Sequence, residues 1–340
     1  MRILMVIVAI CFALTGCVAS PEDSKKTSDT NAITVSVDTN TTTGSVDTND
    51  ITTSSRTDTT TSYSFLNTTP SLTSYYEPNS IKALSAIVYN VDEGNVLFEK
   101  EINNRRYPAS TTKLLTAIIA LKYASPDEEY EVTKEVLSLI PYDASKSKLE
   151  SGMKLSLRML LEAMLMESGC DAAYVIADSI GKQLIGDPDA TIFDAVSEFV
   201  QSMNKFANSI GAKNSHFINP DGYHHPDHYS TAYDIMLIAK DAYSIPLIKE
   251  IVKQEQVTRV LPTGQSLVWK NTNLLINKNS TYYCKTVIGM KTGFTNEAGN
   301  CLVASILKNT INYLIVIMNS PNDEQRWDDA LLLINQFQLN

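Results

Sequence analysis

Tyr107-Pro-Ala-Ser-Thr-Thr-Lys113 stands where strand-like sequence gives way to an apolar helical run, and it sets a serine three residues before a lysine. Residues three apart on a helix share a face, so Lys113 is within reach of the Ser110 hydroxyl. A serine is a poor nucleophile until a base takes its proton, and a lysine can do so once desolvation lowers its pKa. A helix start also turns free backbone N–H groups toward a developing oxyanion. The spacing alone carries little, because Ser-x-x-Lys recurs from Ser145, Ser151, Ser179, Ser202 and Ser305. What surrounds Ser110 decides.

Upstream, residues 83–90 and 95–100 alternate as strands, with Asp92-Glu93-Gly94 as their turn. Downstream, residues 111–123 are apolar and helical, and three-and-four spacing continues through 155–166, 171–180, 190–210 and 231–243. Gly211 is placed to close the third of these later helices as its C′ residue. The pattern then returns to strands at 256–261, 266–269, 287–295, 300–307 and 312–318, with a closing helix over 323–337. Strands, then helices, then strands and a helix predict an α+β fold. Its first and last strands join one antiparallel sheet, flanked by helices, around a mostly helical insertion.

Two stretches join Ser110. Ser168-Gly169-Cys170 follows the helix over 155–166, and Lys291-Thr292-Gly293 lies on the strand VIGMKTGFT, whose hairpin turn is Asn296-Glu297-Ala298-Gly299. Glycine in a strand marks close approach of a ligand or another backbone, and a lysine and threonine beside it suit a carboxylate. Ser-x-x-Lys, then Ser-x-Asn or a variant, then Lys-Thr-Gly, in this order, resembles the penicillin-binding proteins and serine β-lactamases. The stretches PASTTKLLTA, ESGCDAAYVIAD, IGAKNSHFINPDG, HYSTAYDIMLIAK and GMKTGFTNEAGNCLVAS resemble the low-molecular-mass D-alanyl-D-alanine carboxypeptidases of the S11 peptidase type. The similarity runs over residues 81–335.

The resemblance implies a β-lactamase/transpeptidase-like fold and a penicillin-sensitive serine carboxypeptidase. Such an enzyme removes the terminal D-Ala from peptidoglycan stem pentapeptides, without metal or organic cofactor. Ser110 would be the nucleophile, Lys113 the general base and Ser168 a proton relay to the leaving nitrogen. Lys291 and Thr292 would bind the terminal carboxylate, Cys170 and Gly293 would line the substrate site, and the backbone N–H groups of Ser110 and Phe294 would form the oxyanion hole. The middle motif usually ends in Asn. Cys170 is a weaker donor and acceptor, which bears on the rate and on the balance between hydrolysis and acyl transfer. A serine β-lactamase shares the three motifs, although the Glu-x-x-x-Asn element of class A enzymes does not occur between Cys170 and Lys291. A non-catalytic or weakly active penicillin-binding wall lipoprotein is the other alternative.

Other residues take plainer readings. Net charge is −10 and no Lys/Arg stripe is present, which argues against a nucleic-acid partner. No CxxC or Cys/His pair has zinc spacing, so no metal is expected. Cys170 as the nucleophile lacks a neighbouring imidazole. Cys301 reads as core, and a hairpin centred near Glu297 sets it opposite Gly293, too far from Cys284 for a disulfide. His224-His225-Pro226-Asp227-His228 reads as a solvated or locally hydrogen-bonded loop rather than a metal tract, and His216 as structural.

Residues 1–16 read as a lipoprotein signal peptide: a positive start, an apolar run over 3–14, and Leu14-Thr15-Gly16-Cys17, which resembles a lipobox with Cys17 lipidated. Residues 17–74, rich in Thr, Ser, Asp and Asn, hold too few hydrophobes to offset ordering entropy and read as a disordered tether. Residues 75–340 then form the catalytic domain, held by the lipid at the outer face of the cytoplasmic membrane in the cell-wall zone. Many relatives continue into a small β domain and an amphipathic C-terminal helix, an anchor that lipid and tether would replace here.

Overall fold

The computed structural model describes residues 80–340. The expectations for the signal peptide, Cys17 and the tether lie outside the described residues. In chain order the elements are β1 (Ser85–Asn90), β2 (Asn95–Lys100), a 3-10 turn (Ala109–Thr112), α1 (Lys113–Tyr123), β3 (Glu129–Glu131), α2 (Lys134–Ser138), β4 (Lys154–Ser156), α3 (Leu157–Met166) and α4 (Cys170–Ile185). Then come α5 (Ile192–Ser209), α6 (Ala232–Ser244), α7 (Pro246–Val252), β5 (Gln256–Val260), β6 (Ser266–Lys270), β7 (Val287–Thr295), β8 (Gly299–Lys308), β9 (Ile311–Ser320) and α8 (Asp323–Gln336).

The main sheet runs β2-β1-β9-β8-β7, so β1 pairs antiparallel with β9 and joins the first hairpin to the last three strands, as expected. Asn90 fixes that first hairpin, its side-chain oxygen accepting from the Asp92 and Glu93 N–H groups. The central strands are apolar on both faces because helices cover both. On β9, Leu314, Val316 and Met318 join the core shared with α1, α3, α4 and α6, while Ile315 and Ile317 pack with Trp327, Ala330 and Leu333 of α8. Each such side chain, fully buried, contributes about 1.5–3 kcal/mol.

Several elements depart from the expected pattern. The strands over 256–261 and 266–269 stay out of the main sheet and pair only with each other as β5 and β6. α3 begins at Leu157 rather than Leu155, because Lys154–Ser156 pairs with Glu129–Glu131 and the Ser156 hydroxyl caps the helix by accepting from Met159 N–H. Gly211, at φ 92°, follows α5 as expected. A buried Glu162 on α3 is held by Arg259 of β5, with Nε donating to Oε2 at 2.7 Å. On the β7–β8 hairpin Gly293 lies opposite Cys301, and Cys170, Cys284 and Cys301 are free buried thiols among the described residues. β7 is the sheet edge, and its outer side borders a cleft toward the helical part.

Candidate active site

Ser110 sits in the 3-10 turn, not on the α-helix, which starts at Lys113. The turn is held tightly. Ala109 takes φ 48°, a left-handed conformation that a side chain disfavours. Behind it Gly222 (φ 82°) approaches so closely that a Cβ there would lie 1.9 Å from the Ala109 carbonyl oxygen. In front, a Cβ on Gly293 would lie 2.9 Å from the Ser110 nitrogen. Ser110 is therefore gripped between two backbones that only glycine lets in.

Lys113 is fully buried, and its Nζ lies 2.8 Å from Ser110 Oγ, 2.7 Å from the Asp221 carbonyl oxygen and 3.4 Å from Cys170 Sγ. An ammonium donates to all three. A neutral amine has two N–H groups, and if the Asp221 carbonyl and the Cys170 sulfur take them, the lone pair faces the Ser110 hydroxyl. Burial pushes the Cys170 thiol up to about 12 against the pull of Lys113, with Asp221 adding to the rise. It is protonated at neutral pH and unsuited to be the nucleophile.

Ser168 precedes α4 with φ 66°, and its hydroxyl accepts from Lys291 Nζ at 3.0 Å. Lys291 also donates to the Thr292 carbonyl at 2.8 Å and is fully buried. Burial, then the charge of Lys113, drives Lys291 well below the ordinary lysine value. The hydroxyl of Ser168 is thus paired with Lys291 rather than Lys113. The cleft, of about 410 Å³, is lined by Ser110, Ser168, Cys170, Thr292, Gly293 and Phe294, with the two lysines behind this lining.

Among the lining residues that sequence reasoning missed are Thr272 and Arg326. The Thr272 hydroxyl meets that of Thr292 at 2.6 Å. Arg326, from α8, reaches behind the Lys-Thr-Gly strand, donates to the Gly293 and Cys301 carbonyls at 3.2 Å each, and pairs with Asp323. Its Nε is buried with no partner among the described residues. Neither carries a local signal, since each acts through a strand far away in sequence.

The histidine tract is not uniformly solvated. His228 is buried, edge-on to Phe217. Its Nδ1 accepts from Ile218 N–H at 3.2 Å, which leaves Nε2 to donate to the Thr112 hydroxyl at 2.9 Å. Burial lowers it to about 3. His225 and His216 are locally hydrogen-bonded through Asp227, and among the described residues no group of three or more His, Cys, Asp or Glu is placed to hold a metal.

A serine with a buried lysine one turn on, a second serine–lysine pair and a Lys-Thr-Gly edge strand make this a serine acyl-transfer site on a transpeptidase/β-lactamase-like fold. The family model described as D-alanyl-D-alanine carboxypeptidase, peptidase S11, matches residues 72–322, and the chain belongs to that family. It is 30% identical over 254 residues to D-alanyl-D-alanine carboxypeptidase DacF of Bacillus subtilis, a match covering 72% of this chain and 59% of that protein. It is 31% identical over 264 residues to the D-alanyl-D-alanine carboxypeptidase of Streptomyces sp. K15, covering 75% of this chain and 87% of the relative. The crystal structure of the Streptomyces K15 DD-transpeptidase superposes with a TM-score of 0.68 at 31% identity, over 75% of this chain and 96% of that one. Penicillin-binding protein D2 of Listeria monocytogenes in its ampicillin-bound form gives 0.61 at 25% identity, over 75% and 96%.

Proposed function

We propose that the protein is a serine-type D-alanyl-D-alanine carboxypeptidase, sensitive to β-lactams, that removes the terminal D-Ala from peptidoglycan stem pentapeptides. The observation that carries this reading is the buried Lys113 nitrogen 2.8 Å from Ser110 Oγ, beside a second lysine paired to Ser168. Ser110 Oγ attacks the penultimate D-Ala carbonyl while its proton passes to Lys113. The backbone N–H groups of Ser110 and Phe294 receive the oxyanion, the latter from the free edge of β7. The C–N bond breaks, and the leaving D-Ala nitrogen takes a proton through Ser168. Water then releases the shortened peptide from Ser110. The terminal carboxylate meets the Thr292 hydroxyl and Lys291, whose ammonium has a third N–H beyond those given to Ser168 and the Thr292 carbonyl, with Arg326 lining the same cleft.

Labelling with a fluorescent penicillin, parent against Ser110→Ala, tests the acyl-enzyme, and D-Ala release from a stem-pentapeptide mimic tests turnover. A parent that takes no label and releases no D-Ala overturns the proposal, and rapid β-lactam turnover makes it a lactamase. Cys170 in place of Asn favours a second outcome, transfer of the acyl group to an amine. A D-amino-acid acceptor that diverts more product than water does would establish it.

The proposed layout keeps residues 1–16 as signal, 17–74 as tether and 75–340 as catalytic domain, with Cys17 lipidated at the outer face of the cytoplasmic membrane. Among the described residues no helix is long and apolar enough to cross a membrane. Cys17→Ala should release the protein from the membrane fraction, and unchanged fractionation counts against the anchor.

A further inference from the structure

Thr272 has no part in the reaction as drawn, yet its hydroxyl lies 2.6 Å from that of Thr292, the hydroxyl that meets the terminal carboxylate. Both residues line the cleft, with Gly293 and Arg326. The Thr272 side chain is exposed, but the backbone beneath it is held on both sides. Its own N–H donates at 3.1 Å to the carbonyl of Met166, the last residue of α3 and just ahead of Ser168. Before it, Asn271 Nδ2 donates to the Val252 and Gln254 carbonyls at 3.0 and 3.1 Å, and Asn271 Oδ1 accepts from Asn273 N–H at 3.0 Å. After it, Asn273 is fully buried, and its Oδ1 accepts from Leu275 N–H at 3.0 Å. A side chain on so fixed a backbone is aimed at Thr292 by the fold.

We infer that Thr272 is a positioning residue for recognition of the free carboxylate: its hydroxyl donates to Thr292 Oγ1 and so commits the Thr292 proton to the substrate. This rests on the carboxypeptidase reading above. Each hydroxyl has one proton, and one hydrogen bond joins the two. If Thr292 gave its proton to Thr272, it would turn only lone pairs toward the carboxylate, and acceptor would face acceptor. With Thr272 as the donor, the Thr292 O–H is left for the substrate and is polarised by the bond that its oxygen accepts. The chain from Thr272 through Thr292 therefore reads the charged end of the peptide. An amidated C-terminus gains less from it, because hydrogen bonds to an ionised acceptor are about twice as strong as neutral ones. The bond to Met166 ties the same donor to the turn that carries Ser168, so one connected set of contacts places both the carboxylate and the leaving nitrogen.

Thr272→Val keeps the branched shape and the backbone N–H and removes only the hydroxyl. The readout is a ratio: kcat/KM for a stem-pentapeptide mimic ending in D-Ala-D-Ala, over that for the same peptide with its C-terminus amidated. It is measured for the parent, Thr272→Val, Thr272→Ser, Thr292→Val and the double valine variant. Thr272→Val should lower the ratio about fivefold, through KM rather than kcat, because the carboxylate is held alike before and during attack. Thr272→Ser restores a hydroxyl and should stay within about twofold of the parent. In the Thr292→Val background, Thr272→Val should cost nothing further, since the hydroxyl it serves is gone. An unchanged ratio in Thr272→Val, an equal loss on both substrates, or a second full loss in the Thr292→Val background overturns the inference. A parent that is acylated by penicillin yet releases no D-Ala overturns the carboxypeptidase reading alone. The same variants are then compared by acylation with a penicillin against its methyl ester, and the same outcomes decide the role of Thr272. A parent that takes no penicillin overturns the acyl-enzyme reading and this inference with it.

Discussion

Replacing Gly293 by alanine tests whether the distance between strand β7 and the Ser110 turn governs reactivity. Gly293 does not use a left-handed backbone, so alanine meets no dihedral strain and only space is perturbed. The added Cβ would lie 2.9 Å from the Ser110 nitrogen, 3.1 Å from Ala109 Cβ and 3.2 Å from the Pro108 carbonyl oxygen. Carbon contacts are comfortable near 3.5 Å, so the two segments must part by about half an ångström. The turn cannot retreat, since Gly222 already fills the space behind Ala109. The edge strand moves instead and carries Thr292 and Phe294 away from Ser110. A misplacement of about 1 Å costs roughly a hundredfold in rate, so half that predicts about tenfold. Overpacking of this kind costs about 1–3 kcal/mol, and each kcal/mol lowers Tm by about 2–4 °C in a domain of this size. Stopped-flow acylation with a fluorescent penicillin, alongside thermal unfolding, separates the two effects. Acylation within twofold of the parent would refute the reasoning, whatever happens to Tm.

Three other outcomes are expected. His228 is held to about 3 against 6.5 for a free imidazole, so the unfolded chain takes a proton that the fold refuses, and stability falls as pH drops from 6.5 toward 3. His228→Asn keeps an acceptor for Ile218 N–H and should lose about 2 kcal/mol less than the parent between pH 7 and pH 4.5 in urea unfolding; equal losses would count against the assignment. At the alkaline end, burial raises Cys301 from 9.0 to about 11, so the fold keeps a proton that the unfolded chain releases, and stability falls as pH rises past 9. Cys301→Ala should therefore lose about 1 kcal/mol less between pH 9 and pH 10, read from the same unfolding curves. Arg259→Leu strands the buried Glu162 carboxylate and should destabilise by about 3 kcal/mol, while Glu162→Leu with Arg259→Leu recovers most of it; an additive double variant would refute the pairing.

What the sequence discloses follows from how local each signal is. Ser110 and Lys113 are three residues apart, and the pairing of Gly293 with Cys301 follows from one hairpin turn, so both were legible. The sheet was legible because its central strands carry long apolar runs, such as Leu314 to Met318 on β9. β5 and β6 carry the same strand pattern but leave Val260 and Val268 exposed, and only the fold reveals that no sheet accepts them. His228 hides in a polar tract because its partners, Thr112 and Ile218, are on other segments. Arg326 and Asp221 are unremarkable on α8 and in a turn. Their meaning lies in what comes to rest against them.

The two lysines also divide the proposed chemistry in time. Lys291 is pushed down first by burial and next by the charge of Lys113, with no carboxylate among the groups that shift it. Its hold on a proton is therefore weakest when Lys113 is an ammonium. That state arises when Ser110 gives up its proton and attacks. At that moment the leaving D-Ala nitrogen needs a proton, and the Lys291 nitrogen stands 3.0 Å from the Ser168 hydroxyl that lines the cleft. Charging Lys113 thus makes Lys291 the better acid just when Ser168 has a proton to pass on. In the second half of the reaction the sense reverses. A neutral Lys291 beside Ser168 takes a proton from the incoming water while Lys113 returns its own to Ser110. One Coulombic coupling between two buried amines can therefore order both proton transfers, without a histidine or a metal.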